Sequence, residues 1–197
     1  MTANRPEYAR RCVLFLILAV AGCVADLATK SYVFDWRGMP SPANEWWIWQ
    51  GFVGIETAVN TGALFGVGQD MVIFFAVVSL IAVAGILYWV LWGGATSHLT
   101  VVTALGMIMG GILGNLYDRL GFWGIRGVRD WILLRYKSFT WPNFNIADSL
   151  LVIGAILLVW HAYRDQQSTD QPLGSDQAAD AEPQLSASGN GPQSASQ

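Results

Sequence analysis

Four apolar stretches decide what this 197-residue chain can fold into. A helix that spans a lipid bilayer needs about 20 predominantly apolar residues, and such stretches lie near 12–28, 71–92, 100–116 and 146–163. Charged residues make up only 13% of the chain, whereas soluble domains carry about 25%. We therefore predict an all-α membrane protein with four transmembrane helices.

The connection between the first two predicted helices contains a segment with strand character. Trp46–Val59 is dense in Trp, Ile, Val and Thr and has glycine at its bends, a pattern typical of short strands. We therefore expect a small β-sheet between helices one and two.

The last part of the chain differs from the rest in composition. Residues 165–197 include five acidic residues and contain no aromatic residue, Lys or Arg. Such a segment cannot bury enough apolar surface to order itself. We predict a four-helix transmembrane domain at 1–164 and a disordered, acidic, low-complexity tail at 165–197.

The third predicted helix has a glycine at every fourth position, at Gly106, Gly110 and Gly114. Small residues at this spacing let a second helix approach closely inside a bilayer. We therefore expect this helix to pack tightly against a neighbour.

Polar residues gather at one face of the predicted bundle. Because the spans alternate in direction, one face receives the end of helix one, the start of helix two, the end of helix three and the start of helix four. The polar residues at these four ends are Asp26, Lys30, Asn60, Asn115, Asp118, Arg119, Asp130, Asn145 and Asp148. Ionisable groups near membrane depth are costly and usually functional, so we predict a functional site at this face.

The positions of the two histidines exclude several chemistries. His98 and His161 lie at the opposite face, whereas a Ser/His/Asp triad or a zinc site would need histidine beside the carboxylates. We expect no metal, no cofactor and no nucleic-acid partner. A Ser–Lys dyad of Lys30 with Ser31 or Ser149 remains an alternative, although Asp26 lies four residues from Lys30 on the same helical face.

A carboxylate pair is the remaining chemistry. Two neighbouring carboxyl groups share a proton, so one can activate water while the other protonates a scissile carbonyl. Spacing alone does not decide which acids pair. Asp148 also suits a helix start capped by Asn145, Asp118 suits an ion pair with Arg119, and Asp130 suits a solvated loop.

Five segments of the chain resemble the conserved segments of bacterial lipoprotein signal peptidase (signal peptidase II). In chain order they are Asp26-Leu-Ala-Thr-Lys30, Asn60-Thr-Gly-Ala-Leu-Phe-Gly66, Gly110-Gly-Ile-Leu-Gly-Asn-Leu-Tyr-Asp-Arg119, Val128-Arg-Asp-Trp131 and Trp141-Pro-Asn-Phe-Asn-Ile-Ala-Asp-Ser149. The resemblance covers about residues 10–164. Leu64 is bulkier than the alanine common in that family, and Trp131 stands where phenylalanine is usual, so the pocket is expected to differ in detail.

The resemblance implies an aspartic endopeptidase that cuts diacylglyceryl-prolipoproteins just before the lipidated cysteine, and that is inhibited by globomycin-type peptides. It implies that Asp130 and Asp148 are the catalytic dyad. The residues that it implies line or shape the substrate site are Asp26, Lys30, Asn60, Gly62, Asn115, Asp118, Arg119, Asn145 and Ala147.

The resemblance also implies a location. It places a multi-pass protein in the bacterial cytoplasmic (inner) membrane, with both termini in the cytoplasm and with the sheet and the active site at the periplasmic face. Arg10-Arg11 before helix one agree with this orientation, whereas the basic residues of the outer loops oppose it. Those outer basic residues suit contacts with anionic membrane phospholipids.

Two other interpretations remain open. The segment Val20-Ala-Gly-Cys23 resembles a lipidation site, which would make the chain a lipoprotein modified on Cys23. Against this, apolar sequence continues past the cysteine, whereas soluble sequence follows a cleaved signal. The same acids would also suit a proton-linked membrane carrier, but helix two has no charge to line a path.

Overall fold

Four helices form the frame of the molecule. The structure, a computed structural model, describes residues 5–41, 44–62 and 68–169. The helices are α1 (Arg5–Arg37), α2 (Val72–Leu91), α3 (Leu99–Arg119) and α4 (Ile146–Thr169). Each is long and apolar enough to cross a membrane, which confirms the four predicted spans.

Helix α1 is longer than its predicted span at both ends. It has 33 residues, a length of about 50 Å at 1.5 Å per residue, against about 30 Å of bilayer hydrocarbon. Its terminal turns therefore extend beyond the hydrocarbon layer.

Helix α3 is the centre of the bundle. Its apolar span is 67% buried within the protein, whereas those of the other helices are 11–17% buried and offer their surface to lipid. A Cβ on Gly110 would lie 2.9 Å from the Ala19 carbonyl oxygen, and one on Gly106 would lie 2.9 Å from the Leu18 Cβ. The glycine spacing thus allows the predicted close approach of a neighbouring helix, which the structure identifies as α1.

The sheet has four antiparallel strands, β1 (Trp46–Trp49), β2 (Val53–Asn60), β3 (Val128–Tyr136) and β4 (Phe139–Phe144), in the order β1-β2-β3-β4. The predicted small sheet is present, and its first two strands lie between α1 and α2 as expected, but the other two strands come from the α3–α4 connection. A lone hairpin is marginal in water, so β1 and β2 need the partner strands. Charged Arg129, Asp130 and Arg135 obscured the strand pattern of β3.

The sheet is joined closely to the helices. Only Asn145 separates the end of β4 from the start of α4. In β3, the Arg129 backbone N–H donates to Asp118 Oδ2 in α3 at 2.9 Å, and its Nη1 donates to Ser31 Oγ in α1 at 3.2 Å. These contacts fix the Asn60 end of β2 and the Val128 end of β3, which pair with each other, against the bundle.

Helix α4 continues five residues beyond the tail boundary predicted at residue 164. Adding residues to an existing helix costs much less free energy than nucleating a new one. The polar residues 165–169 therefore extend α4. The remainder of the predicted tail, 170–197, and Leu64 of the second conserved segment lie outside the described residues.

Candidate active site

Asp130 and Asp148 reach the same site from different elements, the first from β3 and the second from the first turn of α4. Asn145 Nδ2 donates to Asp130 Oδ1 at 2.6 Å, and Asn115 Nδ2 donates to Asp148 Oδ1 at 2.9 Å. The two amides are themselves joined, because Asn145 Nδ2 also lies 3.1 Å from Asn115 Oδ1. Asn60 Nδ2 donates to the other Asp130 oxygen at 3.2 Å.

The start of α4 has the reciprocal hydrogen bonds of a capping box. The Asp148 backbone N–H donates to Asn145 Oδ1 at 3.0 Å, and the Asn145 backbone N–H donates to Asp148 Oδ2 at 3.2 Å. The predicted capping role of Asn145 is thereby confirmed. Because the box holds Asp148 by one oxygen, the other oxygen is oriented toward Asn115.

A cluster of four buried charged residues lies next to the two carboxylates. Lys30 Nζ is 2.6 Å from Asp26 Oδ2 and 3.3 Å from Asp118 Oδ2, and Arg129 Nη2 is 2.8 Å from Asp118 Oδ1. The expected pairing of Asp118 with Arg119 was wrong, because β3 delivers Arg129 to Asp118 instead. Two acids and two bases balance, which is the arrangement that buried charge requires.

Lys30 connects this charged cluster to Asp148 through Asn115. Its Nζ donates to Asn115 Oδ1 at 2.8 Å, which directs the Asn115 NH₂ toward Asp148. Asp26 Oδ1 accepts the Ala147 N–H at 2.9 Å and so ties α1 to the start of α4.

The two serines proposed for a Ser–Lys dyad bind other groups. Ser31 Oγ accepts from Arg129 at 3.2 Å, and Ser149 Oγ donates to the Asn145 carbonyl at 3.1 Å. Lys30, whose partners are two carboxylates and an amide, is not oriented as a base toward either serine.

A pocket of about 220 Å³ opens beside the two carboxylates. Its lining residues are Asn60, Gly62, Asn115, Arg119, Val128, Asp130, Asn143, Asp148, Leu151 and Val152. Arg119 brings a positive charge to this pocket, with its guanidinium carbon 5.7 Å from the centre of the Phe75 ring. The lining thus combines polar and charged side chains with the apolar Leu151 and Val152 of α4.

Asp130 is only 2% exposed, so the interpretation as a solvated loop residue was wrong. Burial, followed by the negative charge of Asp148, raises the pKa of Asp130 to about 7, against the opposing hydrogen bonds of Asn60 and Asn145. One carboxyl of the pair therefore holds a proton near neutral pH, as two nearby acids require.

The residue-by-residue expectations missed two members of the site. Arg129 neutralises Asp118, and Asn143 lines the pocket while its Nδ2 donates to Glu56 Oε2 at 2.9 Å. Both residues lie in the segments that resemble the family, next to residues that were predicted as site residues. Their contacts depend on how the strands pair, which the sequence alone does not show. His98 and His161 contact each other outside this pocket, with ring centres 4.7 Å apart.

Comparisons with known proteins identify the family to which this chain belongs. The family model described as signal peptidase (SPase) II matches residues 18–164. The lipoprotein signal peptidase of Rhodopirellula baltica is 49% identical over 79% of this chain and 74% of its own length. That of Symbiobacterium thermophilum is 36% identical over 76% of this chain and 93% of its own length.

Solved structures share the fold. A bacterial membrane enzyme determined in meso superposes with a TM-score of 0.70 at 24% identity, over 82% of this chain and 94% of the other. A second such structure gives 0.64 at 26% identity, over 77% and 93%. From the family match, the relatives and the four spans together, this chain belongs to the signal peptidase II family, the multi-pass bacterial membrane proteases that remove signal peptides from prolipoproteins.

Proposed function

We propose that this protease is of the aspartic type, with Asp130 and Asp148 as the catalytic dyad. The observation that supports it best is the pair of carboxylates on one pocket, linked through two asparagine amides, with the pKa of Asp130 at about 7. No other pair of described acids combines proximity, a pocket and a raised pKa outside the bundle.

The raised pKa of Asp130 suggests how the work is divided. Asp130 holds the proton, and ionised Asp148 takes a proton from water as the water oxygen attacks the scissile carbonyl carbon. Asp130 protonates the carbonyl oxygen, which gives a neutral tetrahedral diol. Collapse of the diol breaks the C–N bond, the leaving nitrogen accepts the proton from Asp148, and a diol hydroxyl returns a proton to Asp130.

The remaining site residues have supporting roles in this proposal. Asn115 and Asn145 hold the two carboxyl groups by donating to them, while Asn60, Gly62 and Arg119 form the wall that meets the substrate. Four further residues position these site residues through buried contacts, and they are Asp26, Lys30, Asp118 and Ala147. The expected substrate is a diacylglyceryl-prolipoprotein cut before its lipidated cysteine, and globomycin-type peptides would occupy the same pocket.

The sheet and the dyad share one end of the bundle, which the proposal assigns to the periplasmic side of the inner membrane. Arg10 and Arg11 precede the apolar part of α1 and favour a cytoplasmic N-terminus. An even number of spans then returns α4 to the cytoplasm.

The proposal is tested by single-turnover cleavage of a diacylglyceryl-prolipoprotein in proteoliposomes. Asp130→Asn and Asp148→Asn should each lose at least the ~10²–10⁴-fold that general acid–base catalysis contributes. Ser31→Ala and Ser149→Ala are matched controls within the same site and should cleave near the wild-type rate. A dead Ser149→Ala or Ser31→Ala together with an active Asp130→Asn would replace the aspartic type by the Ser–Lys alternative.

A further inference from the structure

Three asparagine side chains around the two carboxylates use both ends of their amide groups. Asn60 Nδ2 donates to Asp130, and its Oδ1 accepts the Gly62 backbone N–H at 2.9 Å. Asn115 and Asn145 likewise donate through Nδ2 and accept through Oδ1. Contacts within the protein therefore occupy both the donor and the acceptor of these three amides.

A further asparagine at the pocket, Asn143, is bound at one end only. Its Nδ2 lies 2.9 Å from Glu56 Oε2 and 3.2 Å from the Glu56 backbone oxygen on β2. Because a carboxylate and a carbonyl oxygen both accept hydrogen bonds, the end of the amide that faces Glu56 is the NH₂ group. Asn143 Oδ1 is the opposite end, and no donor among the described residues binds it.

Asn143 lies two residues before a residue that holds the dyad. Asn145 follows β4 directly and donates to Asp130 Oδ1 at 2.6 Å. Two residues of a strand span about 7 Å. Asn143 is half-buried and lines the same pocket as both carboxylates, so its acceptor is displaced from the dyad by about one such step along β4.

A peptide that crosses the dyad has backbone N–H groups to offer this acceptor. A scissile carbonyl is open to attack when the peptide is extended, because a helix hydrogen-bonds its carbonyl groups internally. Residues at signal-peptide cleavage sites are small, so their main-chain groups are the chief donors. An extended peptide also advances about 7 Å in two residues, which matches the step from Asn145 to Asn143.

The lining of the pocket indicates the direction in which the peptide runs. Leu151 and Val152 line the pocket from the apolar helix α4, whereas Asn143 lines it from the sheet. A signal peptide is apolar ahead of its cleavage site, so that part suits the α4 side. The segment after the cleavage site then lies along β4, beside Asn143.

We propose that Asn143 Oδ1 binds the substrate main chain by accepting the N–H of the second residue after the scissile bond, the residue that follows the lipidated cysteine. Glu56 is a positioning residue, because it binds the NH₂ end of the amide and leaves the oxygen for the substrate. The nitrogen of the lipidated cysteine stays free to receive the proton from Asp148. The proposal rests on the proposed dyad and adds a contact that is independent of the substrate side chains.

Ester substitution in the substrate tests this contact. One diacylglyceryl peptide has all its amides, and a second has an ester in place of the N–H at the second residue after the cut. A third has the ester one residue later, as the control, because alternate residues of an extended chain face opposite sides. Wild type and Asn143→Ala cleave each peptide in proteoliposomes, and the ratio of kcat/KM between two peptides on one protein does not depend on the fraction that is folded.

On the wild type, the ester at the second residue should lower kcat/KM about three- to tenfold, the range of one neutral hydrogen bond, mainly through a raised KM. Asn143→Ala should cleave this ester and the amide peptide almost equally well, since contacting groups are coupled. The same ester penalty on both proteins would overturn the proposal, and so would a wild type that is affected only by the control ester.

Variants of Glu56 test the positioning role. Glu56→Gln keeps an acceptor for the Asn143 amide and should retain the wild-type ester penalty, whereas Glu56→Ala should lose part of it. Equal penalties in Glu56→Ala and the wild type would overturn the role of Glu56. Asp130→Asn, measured beside them, separates the two proposals, because its activity tests the dyad whereas the ester penalty of the wild type tests Asn143.

Discussion

At the scale of single residues, the charges beneath the dyad balance one another. Asp26 and Asp118 face Lys30 and Arg129, and all four are almost completely inaccessible to solvent. A buried charge that loses its partner costs far more than an exposed one. The cluster therefore makes its members sensitive to substitution whether or not they touch the substrate.

Asp118→Asn should destabilise the protein by about 3–5 kcal/mol, since it leaves the charge of Arg129 without its carboxylate. The measurement is the free energy of unfolding in detergent, with Asp35→Asn as the control because Asp35 is an exposed acid at the end of α1. Equal stability of the two variants would mean that the cluster adds nothing to folding.

If Asp130 is the catalytic acid, as proposed, its pKa predicts a pH limit on activity. Its value of about 7 lies above the ordinary aspartate value of about 3.9, so the proton persists through mildly acidic pH and is lost as the pH rises through 7. If Asp130 is the acid, kcat/KM should fall tenfold for each pH unit above that point. A profile that stays flat or rises from about pH 6 to about pH 9 would exclude a protonated Asp130 as the reacting form.

At the scale of elements, the most demanding contact is that of α3 with α1. A Cβ on Gly114 would meet the Asp26 carboxylate, whereas a Cβ on Gly85 of α2 would meet nothing within 4 Å. The small residues of α3 thus give space to the buried Asp26 side chain as well as to a neighbouring backbone.

Gly114→Ala should remove most cleavage activity, because the new methyl group must displace Asp26 and with it the contacts of Lys30. Gly85→Ala, a substitution of the same kind in a helix with open space, should cleave like the wild type. The readout is prolipoprotein cleavage by membranes that contain matched amounts of each protein. An active Gly114→Ala would show that Asp26 can move without loss.

The elements differ in how well sequence alone predicted them. Apolar length identified the four helices, because the bilayer imposes that length on any spanning helix. Helix parity brought Asp26, Asp118 and Asp148 to one end, since direction alternates from span to span. Strand β3 escaped prediction because its two buried charged residues, Arg129 and Asp130, break the alternation of polar and apolar residues that marks a strand.

The ion pair between Asp118 and Arg129 could not be predicted from the sequence either. Asp118 and Arg119 are adjacent in the chain, but successive residues on a helix point in different directions. The true partner, Arg129, arrives from a strand whose existence and register were unknown. Such contacts depend on tertiary structure, so they cannot be predicted from the spacing of residues along the chain.

At the scale of the whole molecule, the orientation in the membrane remains a proposal that reporter fusions can test. Fusions placed at Gly94, between α2 and α3, and after Thr169 should both report the cytoplasm, because two spans separate them. A reporter within the Ser138 turn between β3 and β4 should report the periplasm. The reverse pattern at all three positions would invert the orientation and put the dyad on the cytoplasmic side.

The central claim is that Asp130 and Asp148 act as one unit across sheet and bundle, and a double-mutant comparison tests it most directly. Single-turnover cleavage of a lipidated prolipoprotein is measured for Asp130→Asn, for Asp148→Asn and for the double variant, with globomycin binding as the check on an intact pocket. Groups that do one job together give non-additive losses, so the double variant should be scarcely slower than either single variant while globomycin still binds. Substantial cleavage by either single variant, or losses that multiply in the double variant, would contradict the account.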